Sequence, residues 1–175
     1  NLRNSIHLIS SFKQIIVGEF SQTTSQFGVK SYLEDIQHIL IPKFKNSQHQ
    51  LIISSDESIV ISAESGALSQ VLINLINNSL IHAFDLNYNG TISLSAKLNE
   101  PLVTFTVEDN GKGIATDKQG KIFDKYFTTR LGEGGSGLGL YIVKNLVTNN
   151  LHGDINVSST PGQGTKFIIN IPKTS

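Results

Sequence analysis

The sequence has 175 residues, 38% of them hydrophobic, and its 14 basic and 14 acidic side chains cancel. That length and apolar content fit one domain, or one domain with a short helical appendage, and a balanced charge without a basic run argues against nucleic acid as a partner. The chain has no cysteine, which excludes disulfides, thiolate nucleophiles and metal–thiolate sites. Its longest apolar runs fall well short of the ~20 residues a membrane helix needs, and no signal-like segment opens it, so the expected location is the cytoplasm. Starting at Asn1 and lacking methionine, the chain is expected to be a fragment whose parent holds more upstream, membrane spans included if it has them.

From Leu2 to Phe20 the apolar residues Leu2, Ile6, Ile9, Phe12, Ile16 and Phe20 recur three or four apart, the stripe of a helix. The polar stretch Ser21–Gly28 reads as a linker. A second helix starts near Ser31, a candidate N-cap with Glu34 three residues on, and Pro42 should bend or end it. Two short apolar runs, QLIIS and SIVIS, flank the turn-like SDES and predict a hairpin. A long helix over Ser65–Phe84 follows, then strands at Thr91–Leu98 and Leu102–Asp109. The segment Gly111–Glu133 reads as irregular, Leu138–Val147 as a helix, and Asp154–Ser158 and Thr165–Ile171 as strands around TPGQG. Helices and strands mix without strict alternation, which predicts an α+β fold with helices layered on one sheet.

Three stretches point to a ligand. On the helix ALSQVLINLINNSLIHAF, a 100° wheel puts Leu68, Leu72, Leu75, Ile76, Ser79, Leu80 and Ala83 on a core-facing arc. Gln70, Asn74, Asn77 and Asn78 gather on the opposite arc with Val71 and Ile81. Asn is a mediocre helix former, so this cluster is either a solvated face or a set of carboxamides held for a purpose, such as an Asn78 oxygen on a hard cation. In LVTFTVEDNGKGI, alternation places Val103, Phe105 and Val107 on one face with Asp109 in phase; Thr165 stands likewise in phase with Phe167, Ile169 and Ile171. Two polar groups aimed inward from strand ends suit a pocket for a flat heteroaromatic with an exocyclic amine, although Asp109 could equally brace its own turn. Third, GEGGSGLGL leads into a helix, a place where backbone N–H groups suit phosphate, and the preceding KIFDKYFTTRLGEG, with anchoring aromatics Phe123, Tyr126 and Phe127, suits a lid.

Together these segments resemble the ATP-binding catalytic domain of sensor histidine kinases, within the superfamily that includes gyrase B, the Hsp90 chaperones and MutL. QVLINLINNSLIHA is similar to the N box, VEDNGKGI to the G1 box, KIFDKYFTT to the F box, GGSGLGLYIVKNLV to the G2 box and TPGQGTKF to the last glycine motif, in the family's order over roughly Ser31 to Pro172. The resemblance implies a Bergerat fold, a two-layer sandwich of a mixed, mainly antiparallel sheet with helices on one face. It implies ATP and Mg2+ as ligands, with Asn78 on the metal, Asn74 beside the phosphates, and Asp109 accepting from the adenine amine. Gly111 and Gly113, followed by Ile114, would let the backbone close on the base; Phe123 and Phe127 would anchor the lid; Gly135, Ser136, Gly137, Leu138 and Gly139 would form the triphosphate loop; Thr165 would line the adenine pocket.

The departures from the family also carry information. A basic residue common three positions after the metal Asn is Ile81 here, so His82 and Arg130 are the substitutes expected to contact phosphate. Hydrolysing relatives place a Glu one turn before that Asn; Asn74 stands there instead, and an amide cannot take a proton at neutral pH. This favours phosphoryl transfer from ATP to a His on an upstream dimerisation domain, for relay to a response-regulator Asp, with the parent a homodimer. The alternative is a nucleotide-gated ATPase or dimerisation module of the gyrase B, Hsp90 and MutL type. Residues 1–28 are read as the second helix of the dimerisation hairpin plus linker and 29–175 as the catalytic domain. His7 lacks an acidic neighbour and is not expected to be the acceptor, so no catalytic His is expected within this chain.

Overall fold

A computed structural model describes residues 23–45, 47–85, 88–128 and 137–174. The helical stripe of Leu2–Phe20, His7, Arg130, Gly135 and Ser136 lie outside the described residues. The chain runs β1 (Thr24–Gly28), α1 (Val29–Lys45), β2 (Gln50–Ser55), β3 (Val60–Glu64), α2 (Ser65–His82), β4 (Thr91–Asn99) and β5 (Leu102–Asp109). It continues through the short α3 (Thr116–Gln119), then α4 (Gly139–Asn145) with a π-helical turn at Leu146–Asn150, and ends in β6 (Asp154–Thr160) and β7 (Gly164–Pro172).

Strict alternation builds the main sheet. Ile92, Leu94 and Ala96 of β4, Val103, Phe105 and Val107 of β5, and Phe167, Ile169 and Ile171 of β7 are all buried, and the residues between them are not. The strand order is β2-β4-β5-β7-β6, with β2 parallel to β4 and every other pair antiparallel. Against that apolar face pack Val29, Leu33, Ile36 and Leu40 of α1, Leu68, Leu72, Leu75 and Ile76 of α2, and Val143 and Val147 at α4 and its π turn. The result is the expected α+β sandwich, a mixed and mainly antiparallel sheet under a layer of helices.

The two long helices are fastened along their length. The Tyr32 hydroxyl donates to the Ser65 carbonyl at 2.6 Å, near the start of both helices, and Lys43 Nζ donates to Asn77 Oδ1 at 2.6 Å near their ends. They therefore run side by side in the same direction. The π turn carries Asn150 to the head of α2, where its Nδ2 donates to Glu64 Oε2 at 3.0 Å. These ties hold α2 between α1 and α4.

Several local expectations change in this context. The segment read as a linker contains a strand: Thr24–Gly28 pairs antiparallel with β3. The two runs around SDES do not form a hairpin, because β2 joins β4 in parallel while β3 joins β1. A turn signal gives a chain reversal, but not which strand becomes the partner. Ser31 is not the cap of α1; the helix already starts at Val29, whose N–H is taken by the Ile59 carbonyl at 2.9 Å, and the Ser31 hydroxyl turns back to the Gly28 carbonyl. Pro42 does not end α1 there: it sits in the final turn, where only one intrahelical bond is forfeited on an exposed face.

On α2 the polar arc is also not uniformly solvated. Val71 is 0% exposed and Ile81 51% exposed, although the wheel puts both on that arc. Val71 is a core residue and Ile81 a surface one. Truncating Val71 to Ala should cost roughly 1–3 kcal/mol of stability, whereas Ile81→Ala should stay within about 0.5 kcal/mol; urea unfolding of the two variants measures the contrast.

Candidate functional site

The polar groups of the site sit where the sheet meets the end of α2. Asp109 and Thr165 close β5 and β7 and are direct partners in the β5–β7 register, 4% and 6% exposed. Their in-phase placement puts both on the helix-covered face. The Asp109 carboxylate is held by three elements: Ser79 Oγ of α2 donates to Oδ2 at 2.8 Å, and the Gly111 and Thr165 backbone N–H groups donate to Oδ1 at 3.0 and 3.3 Å. Burial pushes this carboxyl above its ordinary value of 3.8; the Ser79 hydroxyl and the two backbone amides pull it part of the way back, and neighbouring Glu108 adds to the rise. A carboxylate offers about four acceptor directions. Three are taken among the described residues, which leaves one, on Oδ2, open.

On α2, Asn78 directly precedes Ser79 and Asn74 lies one turn before Asn78; both are partly buried, and the Nδ2 of each is shut from solvent without a hydrogen-bond partner among the described residues. An unpaired buried amide is costly, which sets these two apart from the other polar side chains of α2. Asn77, between them, is instead used by Lys43. Gly139, the first residue of α4, stands beside Asn78: a side-chain carbon there would lie 3.8 Å from Asn78 Oδ1. His82, the last residue of α2, is half-buried, and Leu138 is buried just ahead of α4.

The loop after β5 is clamped on both sides. The Lys112 N–H donates to the Ala83 carbonyl, and the Gly162 N–H to the Lys112 carbonyl, each at 2.8 Å. A Cβ on Gly111 would come 2.2 Å from the Ala83 carbonyl oxygen, so this glycine makes room for the protein's own backbone at the end of α2. Gly113 and Ile114 then pass β6, where the Ile114 N–H donates to Ser159 Oγ at 2.8 Å.

The next segment is anchored differently from expectation. Phe123 meets the Phe167 ring edge-on at 6.3 Å, and Phe127 packs on the core, but Tyr126 is 63% exposed and anchors nothing. Ile122, 4% exposed, takes the buried position. Tyr126 adopts a left-handed φ of 66° because its N–H reaches the Gly137 carbonyl at 3.0 Å, which draws both ends of residues 126–137 together. Gly137, at φ 65°, has Tyr126 backbone 2.5 Å from where a Cβ would stand.

Two contributors carry little signal in sequence. Ser79 lies on the core-facing arc, where the only mark is a lone hydroxyl among apolar residues. Ser159, in phase with Ile155 and Val157, bonds the Gly164 carbonyl at 2.8 Å and Thr165 Oγ1 at 3.1 Å, while Gln119 ties the Ile114 and Ser159 carbonyls at 2.9 Å.

This arrangement can be compared with known proteins. Residues 63–175 match the family described as histidine kinase-, DNA gyrase B- and HSP90-like ATPase. The chain belongs to this family. Over 94% of its length it is 32% identical to the Autoinducer 2 sensor kinase/phosphatase LuxQ of Vibrio parahaemolyticus, of which it spans 20%. The catalytic domain of histidine kinase ThkA, nucleotide-free, superposes with a TM-score of 0.76 at 25% identity, covering 87% of this chain and 97% of that one. Full-length ShkA solved with AMPPNP also reaches 0.76, at 26% identity over 86% of this chain and 31% of its own. LuxQ is a sensor kinase/phosphatase and ThkA a histidine kinase, in agreement with the histidine kinase branch rather than the gyrase B or Hsp90 type.

Two outcomes follow for this domain. Gly137→Ala forces a side chain into Tyr126 at a left-handed φ and should destabilise the fold by about 1–3 kcal/mol, read by thermal unfolding. The raised Asp109 acid means that the neutral form is the one favoured by folding. Its stabilising contribution is complete below 3.8 and is lost as pH rises through the higher folded-state value. The ligand-free wild type should therefore lose stability relative to Asp109→Asn over that window and run parallel to it above, as pH-dependent denaturation curves would record.

Proposed function

We propose that this chain is the ATP-binding catalytic domain of a two-component sensor histidine kinase. In this reading it passes the γ-phosphate of Mg2+-ATP to a His of an upstream dimerisation domain in a homodimeric parent, for relay to a response-regulator Asp. One observation carries it: a buried carboxylate with a single acceptor direction left open, held by Ser79 of α2, directly after Asn78 and five residues after Asn74, two carboxamides whose nitrogens have no partner among the described residues. An exocyclic adenine amine fits the first, and phosphate or metal-bound oxygen and water fit the second. AMPPNP in the ShkA structure is a nucleotide of the kind inferred here.

The metal assignment fits the donors present. Among the described residues no group of three or more His, Cys, Asp or Glu could hold a metal ion, so a cation here depends on the Asn78 amide oxygen plus ligand oxygens, a mode Mg2+ accepts readily. Mg2+ when bound supplies charge neutralisation on the phosphate oxygens. The chain's own residues orient and shield. Asp109 and Thr165 fix the base end, Ile114 and the clamped loop beside it cover it, and Gly135, Ser136, Gly137 and Gly139 are assigned to the phosphates with Arg130 and His82. Phe123 and Phe127 root that segment in the core. Asn74 stands beside the phosphates but cannot take a proton, so the site lacks a base for water there and works by positioning. Residues 1–28 are assigned to the dimerisation hairpin and its linker, and among the described residues no helix is long and apolar enough to cross a membrane.

Calorimetry with Mg2+ should register ATP binding to the isolated chain, and incubation with γ-32P-ATP should leave it unlabelled until an upstream acceptor domain is supplied. Acid-labile label on His7, or no heat with ATP, would overturn the reading. Asp109→Asn should weaken ATP by about tenfold or more: its amide can still accept from Gly111 and Thr165 and donate to Ser79, but it offers the base no anionic acceptor.

A further inference from the structure

Ser79 is 4% exposed on the inner side of α2, and its hydroxyl is spent on Asp109 Oδ2 at 2.8 Å. Oδ1 is already covered by two backbone N–H groups, so a proton arriving on this carboxyl has to settle on Oδ2, the oxygen with an acceptor direction still open. We propose that Ser79 is the positioning residue that keeps Oδ2 a pure acceptor and thereby makes the pocket choose a 6-amino purine over a 6-oxo purine. The inference rests on the ATP reading of the site.

The chemistry is a matter of which partner brings the hydrogen. With Asp109 ionised, the open direction on Oδ2 accepts one N–H of an exocyclic amine, while the carbonyl of a 6-oxo purine would set lone pairs against lone pairs. With a proton on Oδ2 the open direction donates and the preference inverts. A hydroxyl donating to Oδ2 gains strength when that oxygen is charged and so resists the proton. The burial that favours protonation acts continuously on Asp109, and Ser79 is the side chain that opposes it. The other charged or titratable groups on the surrounding elements are engaged or offset. Glu108 lies beside Asp109 on β5 and pairs with Lys166 of β7 at 3.1 Å; Lys112 of the following loop stands 3.8 Å from Asp85; His82 is three residues further along α2.

The test compares wild type, Ser79→Ala and Ser79→Thr by calorimetry with Mg2+ and either ATP or ITP, which differ in the 6-substituent, between about pH 5.5 and 8. The carboxyl signal of Asp109 is followed by 13C NMR without nucleotide over the same range. In Ser79→Ala the carboxyl should titrate at a higher pH than in wild type. ATP affinity should fall by about tenfold between pH 8 and 6 where wild type changes by under about twofold, and the ATP-to-ITP ratio should narrow with it. Ser79→Thr, which keeps the hydroxyl, should restore the wild-type profile. An unchanged carboxyl titration together with an unchanged ATP-to-ITP ratio in Ser79→Ala overturns the proposal. If the wild type gives no heat with either nucleotide, the ATP reading fails and the base preference with it, while the carboxyl titration still decides whether Ser79 governs ionisation.

Discussion

A carboxylate carried out of water sets the terms for the rest of this molecule. Asp109 survives under the helices because α2, the loop after β5 and the end of β7 each bring it one donor. Displacing any one of those elements would leave a buried charge short of partners, which is among the more costly defects a fold can carry. The helix layer, the sheet and the β5–α3 loop are therefore held to a common geometry at that point. The same geometry leaves the carboxyl one free acceptor direction, the one the proposed adenine amine would use.

The surrounding architecture keeps α2 from sliding. It lies parallel to α1, tied by Tyr32 at one end and Lys43 at the other, and its head is tied to the π turn through Glu64 and Asn150. A helix that brings Ser79 onto Asp109 and Asn78 beside Gly139 has to hold its rotation about its own axis, since one residue of slip turns each side chain by 100°. The buried Val71 is part of that constraint: it plants the otherwise polar arc of α2 against the core.

Much of this was legible in the residues. The in-phase positions of Asp109 and Thr165 announced an inward polar pair, and β5–β7 register then made them direct neighbours. The long strands and α2 were readable because their periodicity was long and regular. What failed was local signal without tertiary context. SDES could not reveal that its two flanking runs join different sheets, TSQFG lacked the apolar weight to stand out as a strand, and Tyr126 differed from Phe123 only in how the backbone turns it outward. Ser79 and Ser159 were hidden because a serine's role is set by what it meets across the fold, and one hydroxyl on an apolar arc resembles many.

The bond from Tyr126 to Gly137 has a consequence for how such domains can diverge. It fastens the stem of the intervening stretch to the body of the fold, so the number of residues between the two points is decoupled from the scaffold. Closing a longer loop on a fixed stem costs only about 0.6 kcal/mol per doubling of length. Insertions or deletions at that place should therefore leave α2, the sheet and the Asp109 cluster undisturbed, and make this stretch a natural site for length polymorphism or for grafting a foreign segment.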